Sequence, residues 1–329
     1  MRRVTHERPL RRPPTAWIAL VLAIGMALSG LTWRGGTYGS RARAEDPNAD
    51  PKAPSEKEKA EKRMEFMLRA LGRYEVVYPG DPPKISKLHP KSLLRWSNPL
   101  TVVKDGGLVV FTRGGRPDVV VELQLHNEQA LIHEFSPILY NGMELRRDGR
   151  TVYKSDHGWF KFQDLADAPR PADKPVQRLA QMRKLAERFT VIDNFGYENP
   201  QPYNLRLMPT PVYRYEEADE KVDGGMFVFA QGTNPEAVLL LEARTVGDKL
   251  GWRYGFAPTT IYELTAHLGG EEDPVVWSKP RYIQFNMASG PYLAGPYPIS
   301  PDDIDLTGMM PDPAAKGTPP VKGDQSGKD

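Results

Sequence analysis

A segment of 21 residues occurs twice in this chain, and this duplication constrains the fold more than any other feature of the sequence. Residues 105–125 read DGGLVVFTRGGRPDVVVELQL and residues 223–243 read DGGMFVFAQGTNPEAVLLLEA, so nine of the 21 positions are identical at a constant offset of 118. Average residue usage gives roughly one or two identities by chance. Turn residues and apolar residues align separately, as a shared structure requires, so we expect two copies of one folded unit.

Each copy is predicted to be a β-hairpin. Its Asp-Gly-Gly sequence provides a turn in which positive φ is accessible, and an apolar strand follows. A six-residue loop rich in Gly and Pro then reverses the chain into a second apolar strand. The returning strands contain Val119 to Val121 and Val238 to Leu241, which are continuous apolar runs without polar alternation. Both faces of these strands should therefore be covered.

Two helices are predicted around the first copy. Ser55 and Glu58 have the spacing of a capping box and Gly72 stands where a helix commonly ends, which predicts a helix over 56–71. An apolar face along 175–189 predicts an amphipathic helix between the copies. The expected fold is β-rich (α+β): two related antiparallel β units with a pseudo-twofold internal repeat, an N-terminal helix and one amphipathic inter-repeat helix.

The N-terminal region has the order of a secretory signal. The first 44 residues contain eight arginines and one acid, and an apolar run over 16–33 is followed by Ala42-Arg43-Ala44. This order predicts cleavage between Ala44 and Glu45. An uncleaved anchor is the alternative, because 18 residues almost span a bilayer. In either case we expect an extracytoplasmic protein, periplasmic or secreted, whose membrane contact is limited to an uncleaved signal segment.

The expected organisation divides the chain into six parts. They are a signal peptide over 1–44, a disordered linker over 45–58, an N-terminal helix with the first β repeat over 59–170, a connecting helix over 171–192, the second β repeat over 193–300 and a disordered tail over 301–329. Proline and charged residues dominate the linker and the tail, and such segments bury too little apolar surface to offset chain entropy.

Charge and cysteine content exclude several classes of protein. The chain carries a net charge of +2, and without the first 44 residues 36 basic and 41 acidic residues leave −5, which disfavours nucleic acid as a partner. Cysteine is absent, so disulfides, thiolate zinc sites, iron–sulfur clusters and a thiol nucleophile are excluded. No sequence motif for a cofactor is present, and we expect none to be bound.

The order of several segments resembles a known family. These segments are LLRWSNPL (93–100), DGG with GRP (105–117), HEF (133–135), QMRKLAERF (181–189), PVYRYEE (211–217), DGGMFVFAQGTNPEAVLLLEAR (223–244), WRYGFAP (252–258) and VVW (275–277). Together they resemble an uncharacterised family of exported bacterial proteins with a duplicated hairpin unit. The resemblance covers residues 93–277, implies two related halves, and implies no activity or site residue.

Candidate catalytic residues are few. His133-Glu134 begins like a zinc protease motif but has no second histidine, so a hydrogen-bonded strand residue is the simpler interpretation. Asp156-His157 provides a base beside an orienting carboxylate if both residues lie on a turn. A hydrolase or lyase would therefore use His133, Glu134, Asp156 and His157, with Ser136 or Ser155 as a nucleophile.

Candidate binding and metal residues follow from local composition. Arg113 and Arg116, with Lys104, form a modest basic patch for a carboxylated polymer or a phosphate, and Trp159 offers a stacking face for sugars, as Trp96 and Trp252 also would. His126, Glu128 and His133 match no standard metal site, and the acidic loop at Asp303, Asp305, Thr307 and Gly308 lacks the final calcium ligand. We therefore expect no metal.

The sequence is most consistent with an exported cell-envelope protein that acts as a non-catalytic binding or structural β protein. Its partner would be an unknown envelope component or a polysaccharide. The alternative is an extracytoplasmic hydrolase or lyase with a dispersed active site. A third possibility is assembly with another chain through a valine-rich strand at a sheet edge.

Overall fold

A computed structural model describes residues 54–80, 82–98, 103–126, 130–138, 141–196, 199–217, 222–246, 249–281 and 292–297. The predicted signal peptide with its cleavage site at Ala44 and Glu45, most of the predicted linker, and the predicted tail over 301–329 lie outside the described residues. Within the described ranges no helix is long and apolar enough to cross a membrane.

Two helices and nineteen strands make up the described part. They are α1 (Glu56–Leu71), β1 (Tyr74–Tyr78), β2 (Lys84–Leu88), β3 (Leu94–Asn98), β4 (Val103–Arg113), β5 (Arg116–His126), β6 (Ala130–Pro137), β7 (Asn141–Arg147), β8 (Arg150–His157), β9 (Gln163–Asp164), α2 (Pro175–Ala186), β10 (Phe189–Phe195), β11 (Gln201–Asn204), β12 (Arg206–Leu207), β13 (Tyr213–Glu217), β14 (Val222–Gln231), β15 (Asn234–Val246), β16 (Lys249–Pro258), β17 (Glu263–Leu268), β18 (Val275–Lys279) and β19 (Leu293–Tyr297). The β-rich fold with two helices and antiparallel sheets is therefore confirmed.

Both predicted helices are present. In α1, the Glu58 backbone N–H donates to Ser55 Oγ at 3.3 Å and the Ser55 N–H donates to Glu58 Oε2 at 2.7 Å, which is the predicted capping box. Helix α1 begins at Glu56, so the last three residues of the predicted linker are helical. Helix α2 ends at Ala186, earlier than the predicted 189, because Phe189 begins strand β10.

The strands form three antiparallel sheets. A nine-stranded sheet has the order β19-β6-β5-β4-β2-β1-β7-β8, with β3 paired to β4. A four-stranded sheet has the order β11-β10-β17-β18, and a six-stranded sheet has the order β12-β14-β15-β16-β9, with β13 paired to β14. We refer to α1 with β1–β8 as the N-terminal unit and to α2 with β10–β18 as the C-terminal unit.

The two predicted hairpins are β4–β5 and β14–β15. Asp105 pairs with Leu125 in the first and Asp223 with Ala243 in the second, which places the repeated segments in the same register. The central valine and leucine runs of the returning strands are almost completely buried, as their continuous apolar sequence predicts. The pseudo-twofold relation between the units stays a prediction.

The Asp-Gly-Gly sequences do not form turns, so this part of the prediction is wrong. They lie inside β4 and β14, and the chain reverses through two-residue turns, Gly114-Gly115 in the first hairpin, instead of the predicted six-residue loops. The glycines serve a different purpose. A Cβ at Gly106 would clash with the Trp96 ring, and a Cβ at Gly224 would clash with the Tyr215 ring. The missing side chain therefore admits an aromatic ring directly over the strand.

The aspartate of each repeat holds a helix against its hairpin. Asp105 accepts hydrogen bonds from Arg63 of α1, at 3.0 Å, and from Arg95 of β3. In the C-terminal unit, Asp223 accepts from Arg178 of α2 and from Arg214 of β13. Because each carboxylate is buried, its two arginines neutralise it and fix the helix position.

The two units also exchange edge strands. Strand β9 follows the N-terminal unit but pairs with β16, and β19 follows the C-terminal unit but pairs with β6. Each of these strands therefore extends the sheet of the other unit, so the units are joined by backbone hydrogen bonds as well as by side-chain packing.

Candidate functional site

The hairpins β4–β5 and β14–β15 contribute one face each to a shared core, which we name the interface layer. Alternate residues of each strand point into it because successive side chains of a strand lie on opposite faces. Its apolar members include Leu108, Val110, Val120, Val228, Val238 and Leu240. Buried charged side chains lie on the same faces of these strands, and hydrophobic packing alone does not require them.

One group of these charged residues is acidic. We name as the acidic cluster Glu122 on β5, Glu134 on β6, Asp193 on β10, Glu236 on β15 and Lys279 on β18. None of the five is more than 9% exposed. Four carboxyl groups therefore share a buried region with one ammonium group, and residues from five strands of both units create this arrangement.

Glu122 and Glu134 lie directly opposite each other in the β5–β6 ladder. Opposed side chains of an antiparallel pair have Cβ atoms about 5 Å apart, so the two carboxyl groups are neighbours. The Gln124 amide bridges them, because its Nε2 donates to Glu122 Oε1 at 2.8 Å and to Glu134 Oε2 at 3.2 Å. Within the described part of the chain, Glu122 Oε2 receives no hydrogen bond.

The C-terminal unit supplies the rest of the cluster. Asn234 Nδ2 donates to Glu236 Oε1 at 2.7 Å. Asp193 and Lys279 both pair with Leu264, from opposite sides, and therefore lie on one face of the four-stranded sheet. Lys279 Nζ donates to the carbonyl oxygens of Thr260, at 2.6 Å, and of Tyr262. Among the described residues none donates to either oxygen of Asp193.

The pKa values in the acidic cluster are shifted in the direction that favours the neutral form of each side chain. Burial raises the pKa of Glu134 to about 7 and that of Asp193 to about 7. Burial and the neighbouring carboxylates raise the pKa of Glu122 and of Glu236 well above the usual value for glutamate. Burial lowers the pKa of Lys279 to about 7, against the opposing effect of Asp193, Glu236 and Glu134. Protons are therefore exchangeable here near neutral pH.

A second group of buried charges, which we name the arginine end, has the opposite composition. Glu242 accepts from Arg116 Nε at 3.1 Å, from Arg253 Nε at 2.7 Å and from the Tyr215 hydroxyl at 2.8 Å. The Glu242 side chain is fully buried and both guanidinium groups are about one tenth exposed. This carboxylate is therefore fully compensated, and Arg116 links the N-terminal unit to the C-terminal unit.

The two units differ most clearly at one pair of equivalent positions. Asp118 and Glu236 occupy the same place in their hairpins, since their carbonyl oxygens accept from Ile138 N and Thr259 N, both at 2.9 Å. Asp118 accepts from the Ser86 hydroxyl at 2.9 Å and lies 3.6 Å from Arg113. Glu236 accepts from Asn234, and its charged neighbours are Asp193, Glu134 and Lys279. Only one of the two positions is therefore neutralised by an arginine.

The four candidate catalytic residues are not brought together. His133 and Glu134 point to opposite faces of β6; the His133 ring packs on Tyr74 with its Nδ1 3.2 Å from the hydroxyl, and burial lowers the pKa of His133 to about 3. Asp156 and His157 lie in strand β8 instead of on the turn that their cooperation requires. Of the four, Glu134 alone belongs to the acidic cluster.

The remaining candidates have structural partners or lie apart. Arg116 is buried on Glu242, Arg113 is paired with Asp118, and Trp159 is 42% exposed. Of the two proposed nucleophiles, Ser136 donates its hydroxyl to the Pro258 carbonyl and Ser155 is buried. Trp96 and Trp252 are also buried. Arg113, Arg116 and Trp159 therefore do not form one exposed surface.

Metal candidates gain no support. His126 Nε2 lies 3.1 Å from Gln124 Oε1, whereas Glu128 and the residues Asp303, Asp305, Thr307 and Gly308 lie outside the described part. In the described ranges no three His, Asp or Glu side chains are arranged to hold a metal ion.

No protein-family model, curated protein or solved structure matches the chain. The site is therefore defined by its own geometry.

Sequence reasoning missed Glu122, Asp193, Glu236 and Lys279. One signal was available, because Glu122 interrupts the otherwise apolar run of β5 and replaces the leucine found at position 240 of the other copy. A charge inside a strand that is covered on both faces needs a partner or a function. Asp193 and Lys279 carry no comparable signal, since both lie outside the repeated segment.

Proposed function

We propose that this chain is an exported β-rich protein of the cell envelope that acts by binding, and that its ligand presents a positively charged group to the acidic cluster. The observation that carries the proposal is the charge imbalance of the cluster, where four buried carboxyl groups face one buried lysine, with Arg281 acting on Asp193. The positively charged group would belong to an envelope component or to an amine-bearing polysaccharide.

Charge balance supports a cationic ligand. Lys279 acts on Asp193, Glu236 and Glu134, whereas the charged groups that act most strongly on Glu122 are the acids Glu134 and Glu236. A buried carboxylate without a counter-ion is costly. A ligand ammonium or guanidinium group would supply the missing charge and the missing hydrogen-bond donors at Glu122 Oε2 and at Asp193.

The comparison of Asp118 with Glu236 also supports a cationic ligand. At position 118 the protein supplies Arg113 and Ser86 to the buried carboxylate, so no external group is needed. At position 236 the neighbouring charges include two further acids. Since the two hairpins share one strand register, the position without an arginine partner is the better candidate for a ligand.

Half-buried residues border the cluster. Gln124, Asn234, Tyr262 and Arg281 contact the cluster or lie beside it, and all four are only half-buried. We propose that a small cation approaches Glu122 from this edge.

The experiment measures thermal unfolding of the chain with 1,4-diaminobutane and with methylguanidinium, using 1,4-butanediol as the uncharged control. We expect a saturable rise in the unfolding midpoint with a cation and none with the diol, because a ligand stabilises the state that binds it. In Glu122→Gln the apparent affinity for the cation should fall at least tenfold. Glu263→Gln changes an exposed strand residue and should leave this affinity unchanged. Absence of any cation-dependent rise would contradict the proposal, and an equal response to Ca²⁺ would assign a metal instead.

A second candidate function is favoured by one observation. Glu122 and Glu134 face each other, and a pKa of about 7 at Glu134 is suited to a general acid at neutral pH. This arrangement would serve a hydrolase or lyase acting on an envelope polysaccharide. Turnover of a polysaccharide panel that falls by orders of magnitude in Glu134→Gln, with folding retained, would establish the enzyme and displace the binding proposal.

A further inference from the structure

The acidic cluster contains several acceptor atoms that no donor satisfies. Asp193 is fully buried and, within the described residues, neither of its oxygens receives a hydrogen bond; the same holds for Glu122 Oε2. An ionised carboxylate in such surroundings is strongly disfavoured, whereas a protonated carboxyl group is not. When no ligand is bound, protons are the simplest occupants of these positions.

Among the described residues, the groups that face the cluster come from several elements. They are Glu122 of β5, Glu134 of β6, Asp193 of β10, Glu236 of β15, Lys279 of β18, and beside the strands Arg281 and Tyr292. Of the cations, Lys279 is held by two backbone carbonyls, and Arg281 donates to the carbonyl oxygens of Asn194 and Gly196 at the end of β10. Lys279 acts on Asp193, Glu236 and Glu134, and Arg281 acts on Asp193.

We propose that the acidic cluster exchanges protons for its cationic ligand, so that binding releases protons to solvent and acidification expels the ligand. This inference rests on the proposed cation-binding function. It adds that pH regulates the occupancy of the site. The envelope exchanges protons with the external medium more directly than the cytoplasm does, so the occupancy would follow the acidity of the envelope.

The titrating groups act in the same direction. As pH rises through about 7, Glu134 and Asp193 lose protons and attract a cation more strongly. Over the same range Lys279 loses its proton, which removes a cation that competes for the same carboxylates. Both effects should therefore increase the affinity for the cation as pH rises. The increase should occur around pH 7 and not only under strongly acid conditions.

Titration calorimetry with 1,4-diaminobutane tests the exchange. Its amines titrate near pH 10, about the value for lysine, so any protons released near neutral pH come from the protein. Binding at pH 6.5 is measured in buffers of different ionisation enthalpy, which gives the number of protons released. We expect at least one proton per diamine, and an affinity that increases about tenfold per pH unit for each proton released between pH 5.5 and 7.5.

Variants assign the protons. Glu134→Gln and Asp193→Asn should each lower the number of released protons and flatten the pH dependence, whereas Glu263→Gln should behave as the unmodified chain. Two variants are used so that poor folding of one does not decide the result. Diamine binding without proton release, or with affinity independent of pH, overturns the exchange and leaves the binding function standing. Absence of diamine binding at every pH overturns both.

Discussion

The two buried charge groups of the interface layer use similar side chains with opposite balance. At the arginine end, two guanidinium groups and a tyrosine hydroxyl surround the single carboxylate of Glu242. In the acidic cluster, Lys279 acts on three of the four carboxyl groups and Arg281 acts on Asp193. Satisfied buried charges specify how two surfaces meet, whereas unsatisfied ones are retained where a ligand or a proton completes them. The contrast separates a structural joint from a candidate site.

The matched positions 124 and 242 express this contrast within one scaffold. Gln124 pairs with Gly106 and Glu242 pairs with Gly224, so both occupy the same place beside the Asp-Gly-Gly strand. Gln124 donates to two acids, whereas Glu242 accepts from two arginines. Common strand register therefore does not imply common chemistry, and the difference lies in a few buried side chains.

The largest effect is expected at the arginine end. Glu242→Gln should lower the free energy of unfolding by about 3–5 kcal/mol, because it removes the buried carboxylate that pairs with two largely buried guanidinium groups. Urea denaturation at pH 7 measures the loss. At the matched position, Gln124→Ala removes only neutral donors and should lower it by about 1 kcal/mol. Equal losses at the two positions would remove the proposed distinction between a structural joint and a site.

The acidic cluster should respond in the opposite direction. Glu122→Gln keeps the shape of the side chain and removes a buried acid whose neighbours are acidic, so it should raise the free energy of unfolding by about 1–2 kcal/mol at pH 8. Near pH 4 the change should be small, because the carboxyl group is then protonated in both states. Denaturation at the two pH values gives the comparison, and a large loss at pH 8 would mean that the Glu122 carboxylate is compensated.

Local signals in the sequence were sufficient for the elements of the scaffold. Ser55 and Glu58 predicted the start of α1 because a capping box involves residues three apart, and the continuous apolar runs predicted fully covered strands. The Asp-Gly-Gly sequence led to the wrong prediction of a turn, because glycine is equally suited to positive φ and to close approach of an aromatic ring. Only the pairing of β3 with β4 places Trp96 over Gly106 and decides between them.

The acidic cluster was beyond sequence reasoning for a physical reason. Glu134 was a candidate, but it was coupled to His133, which alternation places on the opposite face of β6. Its true neighbour, Glu122, is set by the register of β5 with β6, and Glu236, Asp193 and Lys279 arrive from the other unit. Neither the register nor the packing of the units can be deduced from one sequence.

The pH dependence of stability tests the acidic cluster without a ligand. Because the pKa of Glu134 in the folded chain is raised from 4.5 to about 7, its contribution is complete below pH 4.5 and is lost as pH rises through 7. His133 acts in the opposite sense: its pKa is lowered to about 3, so its contribution is present above pH 6.5 and lost as pH falls toward 3. Glu134→Gln should therefore remove a decline of up to about 1.4 kcal/mol per pH unit between pH 5 and 7.

Urea denaturation at half-unit steps of pH measures this slope, with Glu263→Gln as the exposed control that should leave it unchanged. The difference between the Glu134→Gln slope and that of the unmodified chain isolates Glu134, since His133 contributes equally to both. Identical slopes would show that Glu134 titrates as an ordinary glutamate and would remove the main electrostatic distinction of the cluster.

The smallest effect is expected at Arg113, the residue that makes Asp118 unlike Glu236. Its guanidinium group is 43% exposed, lies 3.6 Å from Asp118 and also packs over the Tyr78 ring. Because solvent screens such a pair, Arg113→Ala should lower the free energy of unfolding by less than about 1 kcal/mol at pH 8.

The informative feature of Arg113→Ala is the dependence of this loss on pH. Burial already raises the pKa of Asp118, and Arg113 opposes that rise. Without the arginine the folded-state pKa rises further, so the loss should grow as pH increases from 4 to 8, whereas Arg113→Lys should restore most of it. A loss that is independent of pH would instead reflect packing on Tyr78, and Ser86 alone would then distinguish the satisfied position from its counterpart at Glu236.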